Sequence, residues 1–153
     1  MKTRFIFSLL LFLFSLPLHS QIAQRIEMLL EMPAISYQDT ALFVLEAADW
    51  FGPEAFASPE QAFIFAMEQG WLPSNVAATQ AVNFRGFSLL VMRAFEIPGG
   101  FLFTLTGSQH HAYRELAYRN IIQGRTDPHM LVSGELLLFT VNRVLFLIEN
   151  NQL

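Results

Sequence analysis

The chain has 153 residues, 53% of them hydrophobic and 14% charged, with a formal net charge of −4 and no cysteine. That much apolar surface excludes an unfolded linker or acidic tail, and the length suits one domain or several short repeats sharing a core. Without cysteine there is no disulfide framework, CxxC zinc site, cysteine nucleophile or lipid-modified N-terminal cysteine, and the acidic balance argues against binding nucleic acid through its phosphates.

Residues 1–20 read as a targeting segment. Lys2 and Arg4 precede an apolar run from Phe5 to Leu16, Pro17 interrupts it, and Leu18-His19-Ser20 ends on a small residue. This is the order of a secretory signal. It predicts cleavage after Ser20, or alternatively after Ala23, and export to the periplasm or cell surface. The run is short for a bilayer span, with an uncleaved N-terminal anchor as the alternative. No later stretch reaches eighteen consecutive apolar residues, so no transmembrane helix is expected in the mature chain. Removing residues 1–20 leaves seven arginines, no lysine and thirteen carboxylates, a net charge of −6.

The remainder, residues 21–153, reads as an all-α domain. A short helix over Ile26–Glu31 is stopped by Pro33, and a second begins at Ile35-Ser36 and carries Leu42-Phe43-Val44-Leu45. The next opens at Ser58-Pro59-Glu60-Gln61. Ser is a good N-cap, Pro fits the first helical position, and Gln three residues after the cap completes a capping box. Phe63, Ala66 and Met67 supply its apolar face and Gly70 its stop. A further helix starts at Asn83 and continues through Phe87, Leu90, Val91 and Ala94. The stretch from Pro98 to Gly107 is a connection in which Phe101–Leu105 is expected to form a short extended strand or an apolar lid. A helix then runs from Ser108 to about Asn120, and the last starts at Ser133 with Leu137, Val141, Val144 and Leu145 inward.

These elements repeat. A shift of fifty residues aligns 58–95 with 108–145, with identities at Ser58/Ser108, Ala62/Ala112, Val82/Val132, Val91/Val141 and Arg93/Arg143. Ile35-Ser36, Val82-Asn83 and Val132-Ser133 fall in register. The domain is therefore expected to hold three helix–loop–helix units, about 22–52, 53–98 and 105–150.

The run from Val82 to Phe95 (VNFRGFSLLVMRAF) resembles the second half of an S-layer homology repeat, whose usual form is I-T-R-A-E-F-A-x-L-L-x-R-A-L. Ser108-Gln109-His110-His111-Ala112 is similar to that family's opening H-W-A, and Asn120-Ile121-Ile122-Gln123-Gly124 to its G-I-I-x-G. The resemblance covers most of 58–148 and, more faintly, 24–51. It implies three repeats packed around a pseudo-threefold axis and a role in holding secondary cell-wall polysaccharide. The family's ligand contacts come largely from T-R-A-E. Here its Thr position holds Ser36, Asn83 and Ser133, its Arg position Tyr37, Phe84 and Gly134, and its Glu position Asp39, Gly86 and Leu136. The residues that start each helix persist, while the Arg–Glu pair that grips the ligand is gone from every copy.

Candidate ligand-binding residues are Arg114, Arg119 and Arg125, a basic cluster beside Tyr113 and Tyr118 suited to an anionic sugar or a partner's carboxylates, together with Trp71. Intrachain pairing with Glu115 or Asp127 competes with that role for the arginines. Trp50 and Trp71, with Phe51, Phe56, Phe101 and Phe103, read as core or as a sugar-stacking platform. Arg93 and Arg143 are expected to bond the last carbonyls of their helices. His110, His111 and His129, even with Glu115 or Asp127, read as surface residues, because zinc needs three or four convergent ligands. No GxSxG, HExxH, P-loop or GxGxxG occurs and no carboxylate pair stands out, so no catalytic residue, cofactor or metal is expected. The reading is an exported, non-enzymatic envelope protein that engages an envelope protein or a wall glycan, or associates with itself. A peptidoglycan hydrolase is the alternative.

Overall fold

The computed structural model describes residues 24–50, 56–124 and 127–153. The targeting segment, Phe51 and Arg125 lie outside the described residues. The fold is all-helical. Seven helices are present among the described residues: α1 (24–30), α2 (Tyr37–Ala47), α3 (Pro59–Glu68), α4 (Phe84–Ala94), α5 (Phe101–Thr106), α6 (Gln109–Tyr118) and α7 (Gly134–Glu149). None is long and apolar enough to cross a membrane.

Local chemistry accounts for most helix ends. Ser36, Ser58, Asn83, Ser108 and Ser133 are extended N-caps whose side-chain oxygens accept the N–H three residues on, from Asp39, Gln61, Gly86, His111 and Leu136. Each bond satisfies a donor that the first helical turn leaves without a partner. Gln61 reaches back as its position predicts, but its Oε1 accepts from the Ala57 N–H at 3.1 Å, one residue upstream of the cap. At the other ends the chain turns through left-handed residues: Gly70 and the non-glycine positions Asp49, Glu96, Asn120 and Asn151. The next N–H in each case bonds back across the last turn, as Trp71 does to the Ala66 carbonyl at 2.9 Å and Ile97 to that of Met92 at 2.9 Å.

Phe101–Leu105 is helical and not a strand. A short apolar run carries no periodicity that separates the two. Gly100 opens this helix, and Gly107, with φ of 57°, closes it. Thr104 and Thr106 return their hydroxyls to the carbonyls of Gly100 and Leu102.

The centre of the molecule is a cycle of backbone hydrogen bonds. The Ile35 N–H donates to the Val132 carbonyl at 2.9 Å, Val132 donates to Val82 at 3.0 Å, and Val82 donates to Ile35 at 2.9 Å. A second tier follows it: Tyr37 to Gln80, Phe84 to Met130 and Gly134 to Met32. All three residues of the inner cycle are fully buried. Helices α2, α4 and α7 leave this hub immediately after their caps. They bury Ala41, Val44 and Leu45; Phe87, Leu90, Val91 and Ala94; and Leu137, Val141 and Val144.

Helix α3 lies against α2, and α6 against α4. Ala62, Ala66, Ala112 and Leu116 form the buried faces of these covering helices. Two glycines mark the closest approaches. A Cβ on Gly86 would sit 2.4 Å from the Tyr37 hydroxyl, and one on Gly134 would sit 1.7 Å from the Leu29 carbonyl oxygen.

Candidate functional site

The three residues aligned above with the T-R-A-E arginine are interior. Tyr37, Phe84 and Gly134 are buried around the hub, and burial raises the Tyr37 phenol above its ordinary value of 10.0. Gly86, at a Glu position, lies under the Tyr37 ring. Asp39, at another, accepts the Ser36 hydroxyl and is absorbed into its own cap. The end of the bundle where the helices begin thus presents no arginine at these sites.

The Arg and Tyr candidates divide between two directions. Tyr113 turns inward, its ring 6.3 Å from that of Phe84. Arg119 is tied down: its Nε donates to Glu115 at 3.2 Å, and its Nη2 donates to the Pro98 carbonyl. Arg114 and Tyr118 point outward on α6, Tyr118 being 85% exposed. Arg125 lies outside the described residues. The competing reading of Arg119 as an intrachain partner of Glu115 is the one realised.

Trp71 belongs to a different feature. A groove of about 440 Å³ opens where α2 and α4 end, lined by Trp50, Trp71, Arg93, Glu96, Gly99 and Thr104 over a floor of Met92, Ile97 and Phe103. Trp50 and Trp71 meet edge to face at 4.9 Å, and Phe65 stands perpendicular to Trp71 at 5.6 Å. The Trp50 indole N–H donates to the Ala94 carbonyl, which fixes that wall to the end of α4. Arg119 braces the opposite wall through Pro98, next to Gly99. Of the aromatic candidates, Phe56 packs on Phe65, Phe103 is buried, and Phe101 is outside the groove and 78% exposed. The platform reading therefore narrows to the two tryptophans, which are half-buried and double as packing.

Among the described residues Arg93 makes no bond to its helix's final carbonyls. Its guanidinium lies over the Phe103 ring at 5.1 Å, and Arg143 similarly sits 5.6 Å from Phe146. A cation over an aromatic face gains about 0.5–1 kcal/mol at an exposed site. Among the described residues neither Arg93 nor Glu96 makes an ion pair, so the groove keeps one donor-rich and one acceptor group available beside apolar walls. That combination can hold a small polar molecule with one flat apolar face. The sequence reading gave Arg93 a capping role and passed over Glu96 and Thr104. The spacing of Arg93 and Glu96 at a helix end was the signal available.

An adjoining groove of about 340 Å³ is lined by Ala48, Asp49, Trp50, Ala94, Phe95, Glu96 and Ile148. His110 and His111 stack edge to face at 5.6 Å, and His111 Nδ1 is within 3.0 Å of both the Ser108 and Thr106 hydroxyls. Among the described residues no three His, Asp or Glu side chains converge as a metal site would require. Comparison with family models, curated proteins and solved structures finds no match to this chain.

Proposed function

We propose that the chain is an exported, non-enzymatic envelope protein whose domain is a degenerate S-layer-homology-like fold, three repeats about a pseudo-threefold axis, and that it acts by binding an envelope protein or wall glycan. The observation that carries this reading is the closed cycle Ile35–Val132–Val82. Three segments that align in sequence each give one bond and take one, and each leads into a capped helix that enters the shared core.

The burial of Tyr37 and Phe84 where the family keeps arginine tilts the binding away from the family's usual glycan contact and toward a protein partner or self-association. The Trp50–Trp71 groove, with Arg93 and Glu96, is the best-formed polar opening for such a contact. Two measurements on cells that express the chain separate the outcomes. Co-sedimentation with purified sacculi, reduced by Arg93→Ala, supports wall binding. Cross-linking to one envelope protein without sedimentation supports a protein partner. A chain retained in the cytoplasm removes the proposal altogether. The hydrolase alternative would draw its carboxylates from Asp49 and Glu96, which line adjoining grooves. Release of soluble muropeptides that stops in Glu96→Gln would favour it instead.

A further inference from the structure

Tyr118 on α6 and Phe101 and Leu105 on α5 are the three most exposed large apolar side chains among the described residues. Phe101, Leu102 and Leu105 on α5 are 78%, 51% and 70% exposed, and only Phe103 of this helix turns into the core. Helix α5 is held firmly despite its length. It packs along α6, Gly100 lies close to the Glu115 carboxylate, and the Thr106 hydroxyl meets His111. The three projecting side chains line none of the grooves described above. Together they make an exposed apolar knob on α5.

Charge selects the medium. From residue 97 to residue 124 the chain has a single carboxylate, Glu115, in a protein whose net charge is −4. That carboxylate is neutralised by Arg119. Arg114 is exposed on the helix that supports the knob, with Tyr118 one turn further on. Apolar side chains flanked by an amphipathic aromatic residue and a long cation are the composition that settles at a bilayer's headgroup boundary.

We infer that α5, with Tyr118 and Arg114, docks on an anionic lipid surface, with Phe101, Leu102 and Leu105 entering the acyl boundary and Arg114 remaining among the phosphates. This goes beyond the binding reading above and is independent of it, because it concerns another face and a purified component.

The chain has no cysteine, so Leu105→Cys and Asn75→Cys each give a single attachment point for an environment-sensitive nitrobenzoxadiazole label, the second in the exposed turn between α3 and α4. The full chain is titrated with phosphatidylglycerol vesicles. The label at 105 is expected to shift to the blue and brighten several-fold while the label at 75 does not respond. Arg114→Gln should weaken vesicle binding about fivefold, the size expected of one cation near an anionic surface. Flotation of the chain with vesicles and no response at 105 would overturn the inference, since the attachment would then lie elsewhere on the chain. An equal response to phosphatidylcholine would overturn the anionic assignment. A response at 105 that grows with protein concentration in the absence of vesicles would overturn it in favour of a second copy of the chain. Loss of vesicle docking leaves the sacculus and cross-linking results standing, so the two proposals fail separately.

Discussion

Gly86→Ala tests the packing around the hub. On helix propensity alone the change should stabilise α4 by up to about 1 kcal/mol. The structure predicts the reverse. The new methyl would lie 2.4 Å from the Tyr37 hydroxyl, 2.8 Å from Cε1 and 3.0 Å from Cζ. Tyr37 is 2% exposed and cannot swing into solvent. Overpacking of this kind costs about 1–3 kcal/mol. Set against the propensity gain, the expected net loss is about 1–2 kcal/mol, or roughly 3–6 °C in Tm for a chain of this size. Urea denaturation of Gly86→Ala, Tyr37→Phe and the double variant measures it. Removing the hydroxyl removes the closest contact, so the double variant should lose less than the two single variants added together, by about 1 kcal/mol. A Gly86→Ala chain as stable as the parent, or strict additivity with Tyr37→Phe, would refute the assigned contact.

Three further outcomes follow from the same geometry. Ser36→Ala, Asn83→Ala and Ser133→Ala should each cost about 1 kcal/mol in chemical denaturation, because each strands one N–H at the start of a central helix. Val132→Pro deletes the donor to the Val82 carbonyl and should destabilise the chain by about 1–3 kcal/mol more than Val132→Ala, which keeps that bond while losing similar packing; equal Tm values for the two would remove the cycle's importance. The raised Tyr37 pKa means that the native state holds this proton longer than the unfolded chain does. The unfolded state therefore binds fewer protons above pH 10, and stability should fall as pH rises through that range. Tyr37→Phe should flatten that part of a Tm-against-pH curve.

The helix starts were legible in the sequence because capping is a local act: Ser36, Ser58, Asn83, Ser108 and Ser133 each need only an N–H three residues away. The alignment of Ile35, Val82 and Val132 was legible as register, but nothing in one dimension says that three aligned segments bond one another in a ring. The pairing of α3 with α2 and of α6 with α4 was equally hidden, since long connections leave the choice of neighbour to tertiary packing. Phe101–Leu105 misled because an unbroken apolar run fits a strand as well as a helix. Among the candidate residues, Trp71 was singled out for its chemistry and lines a groove, and Arg119 was weighed between ligand and intrachain partner. Arg93 was given the wrong partner because a helix-end arginine has two satisfying fates, a carbonyl or an aromatic face, and the choice fell to Phe103 on a segment expected to be extended.

The central cycle also bears on how this chain can be cut. In a linear array of repeats, each unit touches only its neighbours, and a terminal unit can be removed while the rest stays folded. A closed ring has no terminal member. Ile35, Val82 and Val132 each donate one bond and accept another, so withdrawing any one segment breaks two bonds and exposes an unpaired edge on both remaining partners. The three segments are therefore expected to fold together. The chain should melt in one step, a fragment lacking any single unit should not hold the other two, and segments nearly a hundred residues apart must meet before any of the three is complete.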